Sequence, residues 1–161
     1  MKNSKLKPEY QRAFTPKLAW DLVSLIEKQA IHVYEQLGLV IPVVTSSSLC
    51  FIGQQKKVSL LEIARALDIP HQLAAQRVKI LLKLDLILAN KDPSDKRRTN
   101  YMLTVKGHEQ NALLTEYLGH AEKIFNGLNK ELNTDLMKIL EQTKKSFVER
   151  TLHQRIFKEE E

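Results

Sequence analysis

The segment 59–103 constrains this chain most, because two short helices, a tight break and a charged hairpin follow one another there without spacers. Ser59 is followed three residues later by Glu62, the pattern of a capping box, and opens the apolar-rich run SLLEIARAL. Asp68-Ile69-Pro70 ends that helix, since proline cannot continue it, and a second helix is predicted from about His71 to about Leu84. Two helices joined by so short a connection form a helix-turn-helix. Beyond it, 86–90 and 100–103 are short strand-like runs flanking the turn-rich KDPSDKRR, so the pair reads as a hairpin.

Projected at 100° per residue, the second helix divides into two faces. Gln72, Gln76, Lys79 and Lys83 share a narrow arc, with His71 at the helix start, while Leu73, Ala74, Val78, Ile80, Leu81, Leu82 and Leu84 take the opposite one. The polar arc carries amides and ammonium groups and no carboxylate. Glutamine can pair bidentately with adenine, and lysine reaches guanine or phosphate, so these five residues are the candidate DNA-reading set. Arg77 falls inside the apolar arc and is expected to pair with a carboxylate. The hairpin adds Lys91, Lys96, Arg97 and Arg98 against Asp92 and Asp95. A basic two-stranded loop beside a helix-turn-helix is a wing, which contacts the DNA backbone or enters a minor groove. Asp95, two residues before Arg97, is expected to hold that guanidinium outward.

The flanks are helical. Thr15-Pro16 reads as an N-cap and first-turn proline, and Leu18, Leu22, Leu25, Ile26, Ala30, Val33 and Leu37 keep a helical period up to Gly38. Residues 39–57 suggest a helix from near Pro42, weakened by its serines. One helix is expected over about 104–126, a bend over 127–133, and a last amphipathic helix carrying Leu136, Ile139, Leu140, Phe147, Val148, Leu152 and Ile156. With five Gly and five Pro among 161 residues, the chain is mainly α with a small β-wing. The apolar stripes on 15–38 and 104–158 exceed what a small winged domain can cover, so they call for a second copy. The predicted organisation is a flexible basic arm (1–14), an N-terminal dimerisation helix (15–40), a winged helix-turn-helix (41–104) and C-terminal dimerisation helices (105–161).

The stretch 59–107 resembles the winged helix-turn-helix of the MarR-type (multiple antibiotic resistance) regulators. That family's wing has an aspartate, two residues, a second aspartate, one residue and an arginine, followed by LT-x-x-G. Here these read Asp92-Pro93-Ser94-Asp95-Lys96-Arg97 and Leu103-Thr104-Val105-Lys106-Gly107, with L-x-L-I at 84–87 before them. The chain departs from the pattern at Asp85 and Ala89, where glycine and a basic residue are usual. The resemblance implies a homodimer with interlocked terminal helices and ligand-controlled binding to a palindromic operator. A small-molecule effector would sit where the terminal helices meet the winged domain, with His32 and Tyr34 of the first helix as weak lining candidates.

Enzyme chemistry finds no foothold: there is no GxSxG, no phosphate-cradling glycine loop and no HExxH. The five histidines are never four residues apart, so no metal site and no cofactor is expected. The single cysteine, Cys50, sits among Leu49, Phe51 and Ile52 and reads as an inert buried thiol. The net charge of +6 suits nucleic acid or an anionic membrane surface and by itself specifies neither. No apolar stretch reaches the ~18–20 residues of a membrane span, and the charged N-terminus lacks a secretory h-region, so a cytoplasmic protein is expected. The function read from these features is a sequence-specific double-stranded-DNA-binding transcriptional regulator, a ligand-responsive repressor. The alternative is a winged-helix protein-interaction module without an operator of its own.

Overall fold

A computed structural model describes residues 8–95 and 97–157. The chain divides into two compact units at Glu116/Tyr117, inside one long helix. Of the expected N-terminal arm, residues 1–7 lie outside the described residues, and Pro8–Phe14 form a 3-10 helix.

In the first unit, α1 (Thr15–Leu37) has proline in its first turn and stops at Gly38, whose φ of 72° suits glycine. A 3-10 turn at Val43–Thr45 leads into α2 (Ser46–Gly53). Then come β1 (Val58–Ser59), α3 (Leu60–Ala66) and α4 (His71–Lys83). The hairpin strands are β2 (Ile87–Lys91) and β3 (Thr99–Leu103), and α5 (Val105–Glu131) follows. The sheet order is β1-β3-β2, antiparallel throughout, with Val58 opposite Tyr101 and Lys91 opposite Thr99. Strand β1 was not visible as a strand in the sequence, because two residues carry no periodicity.

Leu49, Ile52, Ile63, Leu81, Leu86 and Leu114 are fully buried, so α2, α3, α4, the residue before β2 and α5 share one core. Each such side chain contributes about 1.5–3 kcal/mol by leaving water. Gln110 adds a polar clamp. The Val40 N–H donates to its Oε1 (2.8 Å), and its Nε2 donates to the Gly38 carbonyl (3.0 Å), which ties α5 to the end of α1.

The end of α4 fixes where the wing begins. The Asp85 N–H donates to the Leu82 carbonyl and the Leu86 N–H to the Leu81 carbonyl, both at 3.0 Å, which is a Schellman closure. Asp85 therefore sits at φ 58°, the left-handed region, and Leu86 is turned into the core. Asp68 ends α3 the same way at φ 48°. The left-handed conformation is unfavourable for a residue with a Cβ, so Asp85→Gly is expected to raise unfolding stability by about 0.5–1 kcal/mol. A urea midpoint that stays put or falls would contradict this.

Thr104 then locks the wing root to α5. Its N–H donates to the Leu86 carbonyl (3.0 Å), its Oγ1 donates to the Asp85 carbonyl (2.7 Å), and the Gly107 N–H donates to that hydroxyl (2.9 Å). Lys106 Nζ adds a bond to the Leu84 carbonyl at 2.8 Å. The LT-x-x-G motif is thus a helix cap that also holds the end of α4 in place.

The second unit holds the rest of α5, α6 (Leu136–Glu149) and α7 (Leu152–Ile156). The expected bend over 127–133 narrows to its end: Gly127 lies inside α5, and Asn133 at φ 48° terminates it. The single last helix of the sequence reading is two, because Arg150 is extended and Thr151 forms a capping box with Gln154.

Candidate nucleic-acid interface

Helix α4 opens at Pro70 without a side-chain cap and has no acidic residue in its first turn, so the positive end of its dipole is uncompensated. His71, Gln72, Gln76, Lys79 and Lys83 are all exposed, while Ala74, Val78 and Leu81 are buried. The structure thus brings the expected reading set onto one solvent face. The buried arc is narrower than the sequence suggested, since Leu73 and Leu82 are 36% and 38% exposed. Arg77 departs from expectation: its Nη1 donates to the Ser47 hydroxyl at 3.2 Å rather than to a carboxylate. It is a link from α4 to α2.

The wing is organised by its two carboxylates, Asp92 buried and Asp95 exposed. Asp92 is 8% exposed and accepts from the Ser94 hydroxyl (2.6 Å), the Asn100 amide (2.7 Å) and the Ser94 N–H (2.9 Å), with Lys57 Nζ at 3.9 Å. These bonds, the Ser94 hydroxyl foremost and Asn100 next, hold its carboxyl well below the usual carboxylate range. Sequence reasoning placed Asp92 in the hairpin turn and as the first aspartate of the wing motif, without giving it a structural role. Its role was missed because the Asn100 partner is contributed by the opposite strand.

A depressed folded pKa has a definite sign. The ionised form stabilises the fold at any pH above the unfolded value of about 4, and that contribution is lost progressively as pH falls below it. Asp92→Asn should therefore melt below the wild type by a constant gap above about pH 5, and the gap should shrink as pH drops from about 4 towards 2. A gap independent of pH would mean that the charge of Asp92 contributes nothing.

Asp95 also works differently from expectation. Its carboxylate accepts the Arg97 backbone N–H at 2.9 Å, and its carbonyl accepts the Arg98 N–H at 2.9 Å. It shapes the turn through the backbone, as aspartate commonly does in turns, and does not grip the Arg97 guanidinium. Arg97 is exposed, Lys91 Nζ donates to Thr99 Oγ1 (3.2 Å), and Lys96 lies outside the described residues. Arg98, expected beside Arg97 as a second basic contact, donates from Nη2 to Glu62 Oε2 (2.8 Å) and from Nε to Asn100 Oδ1 (3.2 Å).

Of the effector-lining candidates, Tyr34 is 3% exposed and shares a hydrogen bond with Ser46 Oγ at 2.7 Å, so it belongs to the core. His32 is exposed beside Glu35. An open hollow of about 420 Å³ lies elsewhere in this unit, between Gln54, Lys56, Met102 and His108. Among the described residues no cluster of His, Cys, Asp and Glu could hold a metal ion, and no helix is long and apolar enough to cross a membrane.

No family model and no curated protein sequence gives a significant match to the chain. Solved structures do. A MarR protein from Peptoclostridium difficile superposes with a TM-score of 0.71 at 20% identity, covering 90% of this chain and 94% of its own. The transcriptional repressor CouR, bound to a 23-mer DNA duplex, gives 0.69 at 19% identity, with 88% and 99% covered. MepR of S. aureus, in complex with DNA, gives 0.66 at 22% identity, with 81% and 99% covered. With its helix-turn-helix, three-stranded wing and long flanking helices, the chain has the winged-helix fold of the MarR-type transcriptional regulators.

Proposed function

We propose that the chain is a sequence-specific double-stranded DNA-binding transcriptional regulator, a ligand-responsive repressor that acts in the cytoplasm as a homodimer on a palindromic operator. The observation that carries this reading is the exposed, carboxylate-free face of α4, where Gln72, Gln76, Lys79 and Lys83 stand together. Amides and ammonium groups in that arrangement suit base edges in a major groove, and Arg97 on the wing suits the backbone or a minor groove. The fold likeness to CouR and MepR, both described in complex with DNA, supports it.

A dimer is supported by apolar side chains left in water on both units. Leu18, Leu22 and Leu25 of α1 are exposed, as are Met137, Leu140 and Phe147 of α6. Apolar surface of that extent on a lone chain favours burial against a second copy, with the two faces related by a two-fold axis. Light scattering should give twice the chain mass of 18.6 kDa. Selection of bound genomic fragments by the purified protein should then return sites with dyad symmetry and half-sites about 10 bp apart. A monomer at micromolar concentration, or a footprint with no dyad, would refute the dimeric repressor.

A further inference from the structure

We propose that Arg98 is a positioning residue rather than a DNA contact, and that its pairing with Glu62 sets the pose of the wing and hence the placement of Arg97. This rests on the DNA-binding reading above.

The wing is a two-stranded ribbon whose ladder ends at Lys91 opposite Thr99. Strand β1, two residues long, pairs with β3 at Asn100 and Tyr101, α2 and α3 also pack against β3, and α4 packs against β2. Beyond the ladder, the outer end is closed by the Asp92 N–H donating to the Arg98 carbonyl (2.9 Å) and by side chains. Arg98 lies just past the last ladder pair, on the outer side of it. Its guanidinium reaches across 36 positions in sequence to Glu62 in the first turn of α3. Glu62 is itself fixed. Its Oε2 accepts the Ser59 N–H at 2.7 Å and the Ser59 hydroxyl at 2.6 Å, in the capping box of α3. The second acceptor, Asn100, is buried at 3% exposure and bonded to Asp92. Arg98 thus bridges two anchored groups, one on the helix-turn-helix and one in the wing. A lysine, with one ammonium, would hold only one of them well.

The charges point the same way. Glu62 neutralises Arg98, so the pair presents little net charge to a phosphate backbone, whereas Arg97 beside it is exposed and its carboxylate neighbour is engaged with the backbone. An exposed ion pair adds little to global stability. Its consequence lies in what it aims.

The test reads duplex binding by fluorescence anisotropy against salt, using the tightest fragment recovered by the genomic selection. The variants are Glu62→Gln, Arg98→Ala, the double variant and Arg97→Ala. Glutamine retains an acceptor for the Ser59 cap, so Glu62→Gln should fold, and equal melting temperatures would establish this. Removing a carboxylate from a DNA-facing domain should by charge alone tighten binding. Positioning requires the reverse: Glu62→Gln binds roughly three- to tenfold more weakly, Arg98→Ala by a similar factor, and the double variant no worse than either. Arg97→Ala should reduce the salt slope by about 1, Arg98→Ala should reduce it by no more than that, and Arg98→Ala introduced into the Arg97→Ala variant should change affinity and slope little further. Tighter binding by Glu62→Gln, or a further loss of affinity and slope when Arg98→Ala is added to Arg97→Ala, would make Arg98 a DNA contact and overturn the proposal. Absence of binding by the wild type would instead remove the DNA-binding reading, and the inference with it.

Discussion

Gly107→Ala is expected to destabilise the protein by about 3 kcal/mol or more, the upper range for forced overpacking. A Cβ added at Gly107 would stand 1.9 Å from the Leu86 carbonyl oxygen and 2.9 Å from its carbon. Both are backbone atoms, so no side-chain rotation relieves the clash. The same oxygen accepts the Thr104 N–H at 3.0 Å, so separating the two segments would break the cap of α5 and displace the root of the wing. Gly119, also in α5, provides the control, because nothing lies within 4 Å of its added Cβ. There alanine removes only the entropic cost of glycine in a helix, and Gly119→Ala should stabilise by roughly 0.5–1 kcal/mol. Chemical denaturation of both variants checks the pair. Similar effects at the two positions would mean that the contact between α5 and Leu86 is not a tight one.

Arg97→Ala is expected to weaken DNA binding by about 10- to 100-fold across many sequences, the span of roughly 1–3 kcal/mol that one well-placed basic contact supports. The effect should be broad because a wing arginine meets phosphates or a narrow minor groove and reads little sequence. Gln76→Ala should behave otherwise. An amide on the exposed face of α4 that pairs with one base should lose preference at that base pair and bind other sites nearly unchanged. Binding measured over a library of single-base operator variants separates the two patterns. A sequence-specific loss for Arg97→Ala and a uniform one for Gln76→Ala would exchange the roles of helix and wing.

The helix-turn-helix and hairpin were legible in the sequence because their signals are local. Ser59 with Glu62 marks a helix start, Asp68-Ile69-Pro70 marks a break, and the polar arc of α4 follows from helical spacing alone. LT-x-x-G was legible as a motif, yet its physical reason needed the structure: Gly107 is required by a carbonyl 21 positions earlier. Asp85 similarly departed from the expected glycine while keeping the left-handed turn that glycine would have made. What was not legible is the pairing of polar groups across the fold. Gln110 meets residues 70 and 72 positions away, Arg77 meets Ser47, and Arg98 meets Glu62, none of which a local period can encode. For Asp95 the residue was singled out correctly as part of the wing, but its partner is the Arg97 backbone and not the guanidinium, because a short side chain in a turn reaches its own main chain first.

The most direct test of the central claim is the salt dependence of binding to a selected duplex. A protein that places α4 in a major groove and Arg97 against the backbone neutralises several phosphates at each half-site, and counterion release then governs the affinity. The expected result is a straight line of log affinity against log salt, with affinity falling on the order of 10³-fold between about 50 and 200 mM. Affinity that is absent, or flat across that range, would contradict a DNA-binding regulator and favour a winged-helix module that recognises another protein.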